Sequence, residues 1–194
     1  MYKRRCELWS NYKHLMNVSI FIDDAIKTIQ RGTVDRKSPF KLPVLSSSID
    51  NNIHQRIVVA RRYNEHDHSL IIYTDHESKK YHQLKTNPSC SLLFWDPKKR
   101  LQVQLAGEAS FLENKAEYWD KLNENQRKDY VINPFPGTEI SSADGYSYDS
   151  AEYRFEVISI HFKTLDVLEL SPNGHRRAKS ILNKNEREDF WVSP

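Results

Sequence analysis

Along most of this chain apolar and polar positions alternate with period two, and helical spacing is confined to three stretches. The first stretch, residues 9–31, carries Leu15, Ile20, Phe21, Ala25, Ile26 and Ile29 on one face, with Gly32 as the expected stop. A first strand is expected near residues 42–47, with Pro43 marking an irregular start or an edge. Between Gln55 and Gly107 come three apolar runs of strand length, residues 56–61, 69–74 and 90–94. A turn at 64–69 and a short helix after Asp75 separate them; Asp75 or Ser78 is its cap, and it closes before Pro88. A fourth run alternates cleanly, with Leu101, Val103 and Leu105 on one face and Arg100, Gln102 and Gln104 on the other. Those two glutamines suit either a solvent-facing surface or the wall of a polar pocket.

Downstream, a helix is expected from Lys115 to about Asn123, and residues 124–152 lack periodicity and read as a long loop. From Tyr153 the alternation resumes. Its phase then slips by one residue, so that Ile158, Ile160 and Phe162 replace Tyr153, Phe155 and Val157 as the apolar set. Such a slip predicts a bulge in one long strand or a break between two short ones. A final strand is expected at 190–192. Six or seven strands arrive as successive neighbours with only three helices among them. This favours a mainly β, antiparallel, barrel-like sheet with flanking helices over a doubly wound one. The 194 residues suit one domain, with residues 1–35 as an N-terminal helical extension.

Composition narrows the function. The formal charge of +3 comes from 29 basic and 26 acidic residues mixed along the chain, which is not the clustered stripe of a nucleic-acid binder. MYKRRC has no apolar stretch after it and no run is long enough to span a bilayer, so neither leader nor anchor is expected. Cys6 and Cys90 make no disulfide framework, and a cytoplasmic protein is the expectation. His66 and His68 form an HxH pair in a turn with no third ligand nearby, and read as solvated. The five glycines are too scattered for a dinucleotide fingerprint or a P-loop. Any phosphate must therefore be held by side chains and a helix N-terminus. Ser78, Lys79 and Lys80, in the first turn of the helix after Asp75, offer that combination. No G-x-S-x-G motif or catalytic dyad is visible.

These residues resemble the pyridoxamine 5′-phosphate oxidase-related family of FMN-binding split barrels, over residues 38–194. The family's R-x-V-L-x-[RK] strand stands here as Arg56-Ile57-Val58-Val59-Ala60-Arg61. Its YT pair is Tyr73-Thr74, and its S-[RK]-K-x-x-Q helix is Ser78-Lys79-Lys80-Tyr81-His82-Gln83. Ser91-Leu92-Leu93-Phe94, the Gln102 strand and His175-Arg176-Arg177 follow in order. The resemblance implies that Arg56, Lys80, Lys79, Ser78 and Thr74 meet the FMN phosphate, beside Tyr73. Backbone groups of Val58 and Val59 would line the isoalloxazine, Gln102 and Arg177 would reach it, Arg61 would sit near the flavin pyrimidine or the substrate, and Tyr118 and His175 would face substrate. It further implies a homodimer with FMN in the cleft between subunits. Arg56 and Arg61 are an odd number apart, so a flat strand would send them to opposite faces. Serving one ligand then takes a bulge, a strand end or the partner chain.

The chain departs from true pyridoxamine-phosphate oxidases where those bind substrate phosphate. Leu122 falls at an arginine position, Asn173 at the first arginine of R-x-H-x-R, and Val167 at an indole that packs on the flavin. Each lost charge-assisted bond forfeits about 1.5–3 kcal/mol. An FMN-dependent oxidoreductase with a substrate other than a vitamin B6 phosphate is the expectation. A genuine pyridoxamine-phosphate oxidase and a flavin carrier without turnover remain the alternatives, and an RNA-contacting sheet is the least favoured.

Overall fold

The computed structural model describes residues 17–149, 154–183 and 186–194; the start of the predicted first helix, at 9–16, lies outside the described residues. Helix α1 (Val18–Val34) opens where the Asn17 side chain accepts the Ser19 N–H, and it buries Phe21, Ile22, Ala25, Ile26 and Ile29 at helical spacing. It runs through Gly32 instead of stopping there. A Cβ on Gly32 would lie 2.7 Å from the Phe40 Cβ, so this glycine marks a close approach of two segments and not a helix end.

The strands are β1 (Val44–Ile49), β2 (Asn52–Ile57), β3 (Arg62–Asn64), β4 (Ser69–Asp75), β5 (Ser89–Asp96) and β6 (Leu101–Phe111). Helix α2 (Lys79–Thr86) separates β4 from β5. Short helices α3 (Lys115–Trp119) and α4 (Glu124–Arg127) then precede a two-residue hairpin, β7 (Ile132–Asn133) with β8 (Ser147–Tyr148). The segment expected to be structureless is thus partly ordered by local caps, Asn123 and Gln126 forming a reciprocal capping box. Three long strands close the chain: β9 (Phe155–Glu169), β10 (Arg176–Leu182) and β11 (Arg187–Val192).

All strand pairs are antiparallel, in the order β11-β10-β9-β6-β5-β1-β2, with β4 pairing β3 and β9. Strand β9 organises the barrel. Along one edge it pairs with β6; along the other, β4 takes residues 155–161 and β10 takes residues 164–169. The fork falls where the β6 register shifts between Ala106 and Gly107, opposite Phe162 and Thr164. A Cβ on Gly107 would lie 1.9 Å from the His161 carbonyl oxygen, so only glycine admits this bulge. The bulge therefore exists, but not at the phase slip. Between 157 and 158 the strand is continuous, and both faces are buried. Ile158, Ile160 and Phe162 enter the main core with Leu45, Leu92, Val103 and Leu105, whereas Phe155 and Val157 pack in a second cluster with Ile71 and Tyr130. Each such buried aliphatic side chain contributes roughly 1.5–3 kcal/mol.

One expected strand is broken. Residues 56–61 do not form a single strand: β2 ends at Ile57, and β3 begins at Arg62. In the gap the Val58 N–H donates to the Pro43 carbonyl, Ala60 to Lys41 and Arg61 to Ile71, so the chain crosses from one side of the split to the other. The Lys41 ammonium fastens this crossing from below, donating to the carbonyls of Thr33 (2.6 Å) and Ala60 (2.8 Å). Among the described residues no helix is long and apolar enough to cross a membrane.

Candidate functional site

Residues that the sequence grouped together fall in three places. The first is a cationic cradle at the start of α2. Arg56, paired across from the buried Leu45, reaches over β1 to donate to Ser47 Oγ (2.7 Å) and Gln83 Oε1 (2.5 Å). Ser47 also donates to Gln83 (2.9 Å), so one glutamine fixes both groups. Ser78 caps α2 by position, but its hydroxyl bonds that of Thr74 (2.8 Å) and makes no bond to the helix. As the first helical positions, Lys79 and Lys80 have amides with no intrahelical acceptor. Lys79 is exposed, and Lys80 is half-buried. Burial and the neighbouring Arg56 charge hold the Lys80 ammonium below the ordinary lysine range, and Asp75 opposes them. Burial also lowers Arg56. Among the described residues neither Arg56 nor Lys80 has a carboxylate partner. Two partly desolvated cations that feel each other's charge, with no ion-paired carboxylate among the described residues, make an arrangement that can hold an anion.

The second place is an aromatic cluster on the other side of β4. Tyr73 and Thr74 are neighbours in sequence and so face opposite ways: Thr74 is buried on the cradle side, and Tyr73 meets Tyr118 (6.0 Å) and Phe155 (5.0 Å) edge-on. The Arg61 guanidinium lies 4.8 Å from the Tyr73 ring centroid and donates to the Tyr130 hydroxyl at 3.5 Å. Its buried Nε finds no acceptor among the described residues. Burial raises the Tyr73 and Tyr130 phenols, with Arg61 pulling both back down. The break after Ile57 thus settles the odd spacing of the two arginines: Arg56 belongs to the cradle and Arg61 to the cluster.

The third place is an open sheet face. Register puts Ile53, Gln55 and Ile57 of β2 beside Val44, Ser46 and Ser48 of β1. The face continues through Ser91, Leu93 and Trp95, then Gln102 and Gln104, to Asp166, Leu168, Arg177 and Lys179. Every one of these positions is half-buried or exposed. Ile53 is 75% exposed, Ile57 67% and Trp95 42%. A hollow of about 410 Å³ on this face is lined by Gln104, Asp166, Arg177, Lys179 and Phe190, among others. Here the charges are already matched: Arg177 makes two 2.9 Å bonds to Asp166, and Lys179 approaches the same carboxylate at 3.5 Å. Arg56 points to the other side of the sheet, with Leu45, so Gln102 and Arg177 do not meet the cradle within one chain. His175 is exposed in the turn before β10, its Nδ1 accepting the Ser171 N–H (3.1 Å).

Of the two expected backbone contacts, Val58 has its N–H committed to Pro43, whereas the Val59 N–H has no acceptor among the described residues. Sequence reasoning missed Ser47, Tyr130 and the anchoring role of Gln83. Gln83 had a signal, its place in the S-K-K-x-x-Q run. Tyr130 had none, because it sits in the segment without periodicity.

Comparison with known proteins gives the setting. The profile of the pyridoxamine 5′-phosphate oxidase family matches residues 42–163. No curated protein matches the chain. Among solved structures, a pyridoxamine 5′-phosphate oxidase-related, FMN-binding protein from Nostoc punctiforme is similar, with a TM-score of 0.72 and 20% identity over 88% of this chain and 96% of its own. PhzG from Burkholderia lata, solved with tetrahydrophenazine-1-carboxylic acid, has a TM-score of 0.68 and 15% identity over 91% and 90% of the two chains. General stress protein 26 from Bacillus anthracis follows at 0.52 and 18%, over 77% and 98%. At these identities the likeness establishes the split-barrel fold.

Proposed function

The chain belongs to the pyridoxamine 5′-phosphate oxidase family, and from that premise we propose that it is a homodimeric FMN-binding flavoprotein, an oxidoreductase whose substrate is not a vitamin B6 phosphate. The observation that carries the reading is the cradle: Arg56 and Lys80 side by side, uncompensated, at the open end of a helix. A phosphate dianion placed there would take charge from both cations and hydrogen bonds from the Lys79 and Lys80 amides. Thr74 gives its one hydroxyl proton to the Asp75 carbonyl (3.2 Å), so Ser78 donates to Thr74, and the Ser78 proton would have to leave that bond to reach the anion. The Val59 N–H and Arg61 lie further along the same crossing, toward the ring and the substrate. Bound FMN would supply the electron-transfer chemistry, leaving this chain to bind, orient and exclude water.

Gln102 and Arg177 reach such a flavin only from a second copy, because their own face turns away from their own cradle. The exposed Ile53, Ile57 and Trp95 give that second copy an apolar surface to cover. The substrate reading rests on Leu122. It is buried in the aromatic cluster where an oxidase of this family would place a phosphate-binding arginine, and the guanidiniums at that cluster are engaged within it, Arg61 by Tyr73 and Tyr130 and Arg127 by the Trp119 ring and carbonyl. The test is the absorption spectrum of purified protein. Yellow material that releases FMN on denaturation, and that leaves pyridoxamine 5′-phosphate unoxidised in air, is the expected result. Colourless protein that stays colourless with excess FMN would sink the reading.

A further inference from the structure

Arg154 and Asp75 form a buried ion pair, Nε to Oδ2 at 3.1 Å, with Arg154 8% and Asp75 3% exposed. The remaining carboxylate oxygen of Asp75 accepts the Glu77 N–H at 2.7 Å, and its carbonyl accepts the Ser78 N–H at 3.1 Å. Those two bonds set the turn that presents Ser78 and Lys80. Arg154 ties down the other end of the site. It donates to the Ile132 carbonyl, its own N–H donates to the Tyr130 carbonyl (3.0 Å), and its carbonyl accepts the His76 N–H (2.8 Å). Tyr130 in turn holds Arg61. The Asp149 N–H to Val131 bond (2.7 Å) closes the base of the β7–β8 segment, whose Gly137 lies against the Lys79 side chain. One residue therefore fastens both the turn carrying the cradle and the segment carrying the aromatic cluster.

The electrostatics give the pair a second consequence. Asp75 is the carboxylate whose field reaches Lys80. Engaged by Arg154, it is held in place and its charge is balanced. Without Arg154 the carboxylate would stay bonded to the Glu77 N–H but carry an unbalanced charge, which would act on Lys80 and oppose any incoming anion. A buried ion pair adds little net stability over an apolar pair of the same volume, so stability alone does not explain it.

We propose that Arg154 and Asp75 are positioning residues for the anion cradle: Arg154 balances the Asp75 charge that reaches Lys80 and locks the turn before α2 to the Tyr130 segment. This role rests on the FMN reading above. Its test compares FMN with riboflavin, which lacks the phosphate, by fluorescence titration of wild type, Arg154→Gln, Arg154→Lys and the Asp75→Asn/Arg154→Gln double variant. Arg154→Gln is expected to lose FMN affinity by roughly 10–100-fold, the usual effect of removing a group that orients a ligating side chain. Riboflavin affinity should stay unchanged, and the double variant should recover most of the loss, because the unbalanced carboxylate is gone. A purely structural role would weaken both flavins alike and add the two defects. Either that pattern or an unchanged FMN affinity overturns the proposal. If Arg154→Gln does not fold, Arg154→Lys, which keeps the charge beside Asp75 but not the two-sided geometry, is expected to show a smaller loss of FMN affinity, with riboflavin again unchanged. Wild-type protein that takes up no FMN would bring down the flavin reading itself, a result distinct from normal uptake with no selective effect in the variants.

Discussion

The cradle and the open sheet face contain similar side chains and treat them in opposite ways. On the open face the cations have an acid within reach: Arg177 and Lys179 share Asp166. In the cradle Arg56 leans on a serine and a glutamine, and Lys80 has no counter-ion among the described residues, while Asp75 beside them is taken by Arg154. Uncompensated charge in a half-buried place is costly, and it persists only where something else completes it. Self-matched charge around exposed isoleucine and tryptophan is instead what a protein surface presents to another protein. On the proposed function the two regions divide the work: one would take a small anion, the other a second copy.

The largest effect expected breaks the open-face half of this comparison. Ile57→Glu combined with Trp95→Glu would bury unpaired carboxylates, each costing on the order of several kcal/mol. Sedimentation velocity should then show monomers, and FMN binding should weaken with them; an intact dimer would mean that the interface lies elsewhere. Next in size is the cradle itself. Arg56→Met should cost about 1.5–3 kcal/mol of FMN affinity, the worth of a charge-assisted bond, and spare riboflavin. Smaller still is Arg177→Gln, about 1 kcal/mol or less, because its exposed pairing with Asp166 is worth little to begin with. Mixing Arg56→Met and Arg177→Gln subunits sharpens the contrast. If each site takes its cradle from one chain and Arg177 from the other, the mixed dimer holds one wholly intact site. Partial recovery of wild-type affinity is therefore expected, and none would place both residues in one chain's site.

The smallest effect is a pH dependence. Burial and Arg56 set the Lys80 pKa below 10.5 in the folded protein, so Lys80 loses its proton earlier there than in the unfolded chain. Folding stability accordingly gains from this group as pH rises from the folded pKa toward 10.5. FMN affinity moves the other way in that window, because the dianion needs the ammonium. Titrations at rising pH should show affinity falling below the ordinary lysine range in wild type, and Lys80→Arg should remove the fall. A fall retained in Lys80→Arg would assign it to another group.

Much of this was legible in the chain. Alternation at Leu101, Val103 and Leu105 fixes a strand with one covered face, because the period of two follows from backbone geometry alone. Ser78, Lys79 and Lys80 read as an anion-facing helix start for the same local reason. The phase slip at 157–158 was visible but misread: burial on both faces erases alternation as thoroughly as a bulge does, and only the partners of β9 tell the two apart.

By itself, then, the sequence determined the antiparallel class, the helix that carries the lysines and the absence of any glycine-rich phosphate loop, since all of these depend on residues near one another along the chain. Tertiary structure alone decided that 56–61 crosses the split and parts Arg56 from Arg61, that Gln102 and Arg177 face away from the cradle, and that Arg154 meets Asp75 across 79 positions. Strand pairing and burial bring together residues that no local pattern connects, and the arrangement of charge around the site is set there.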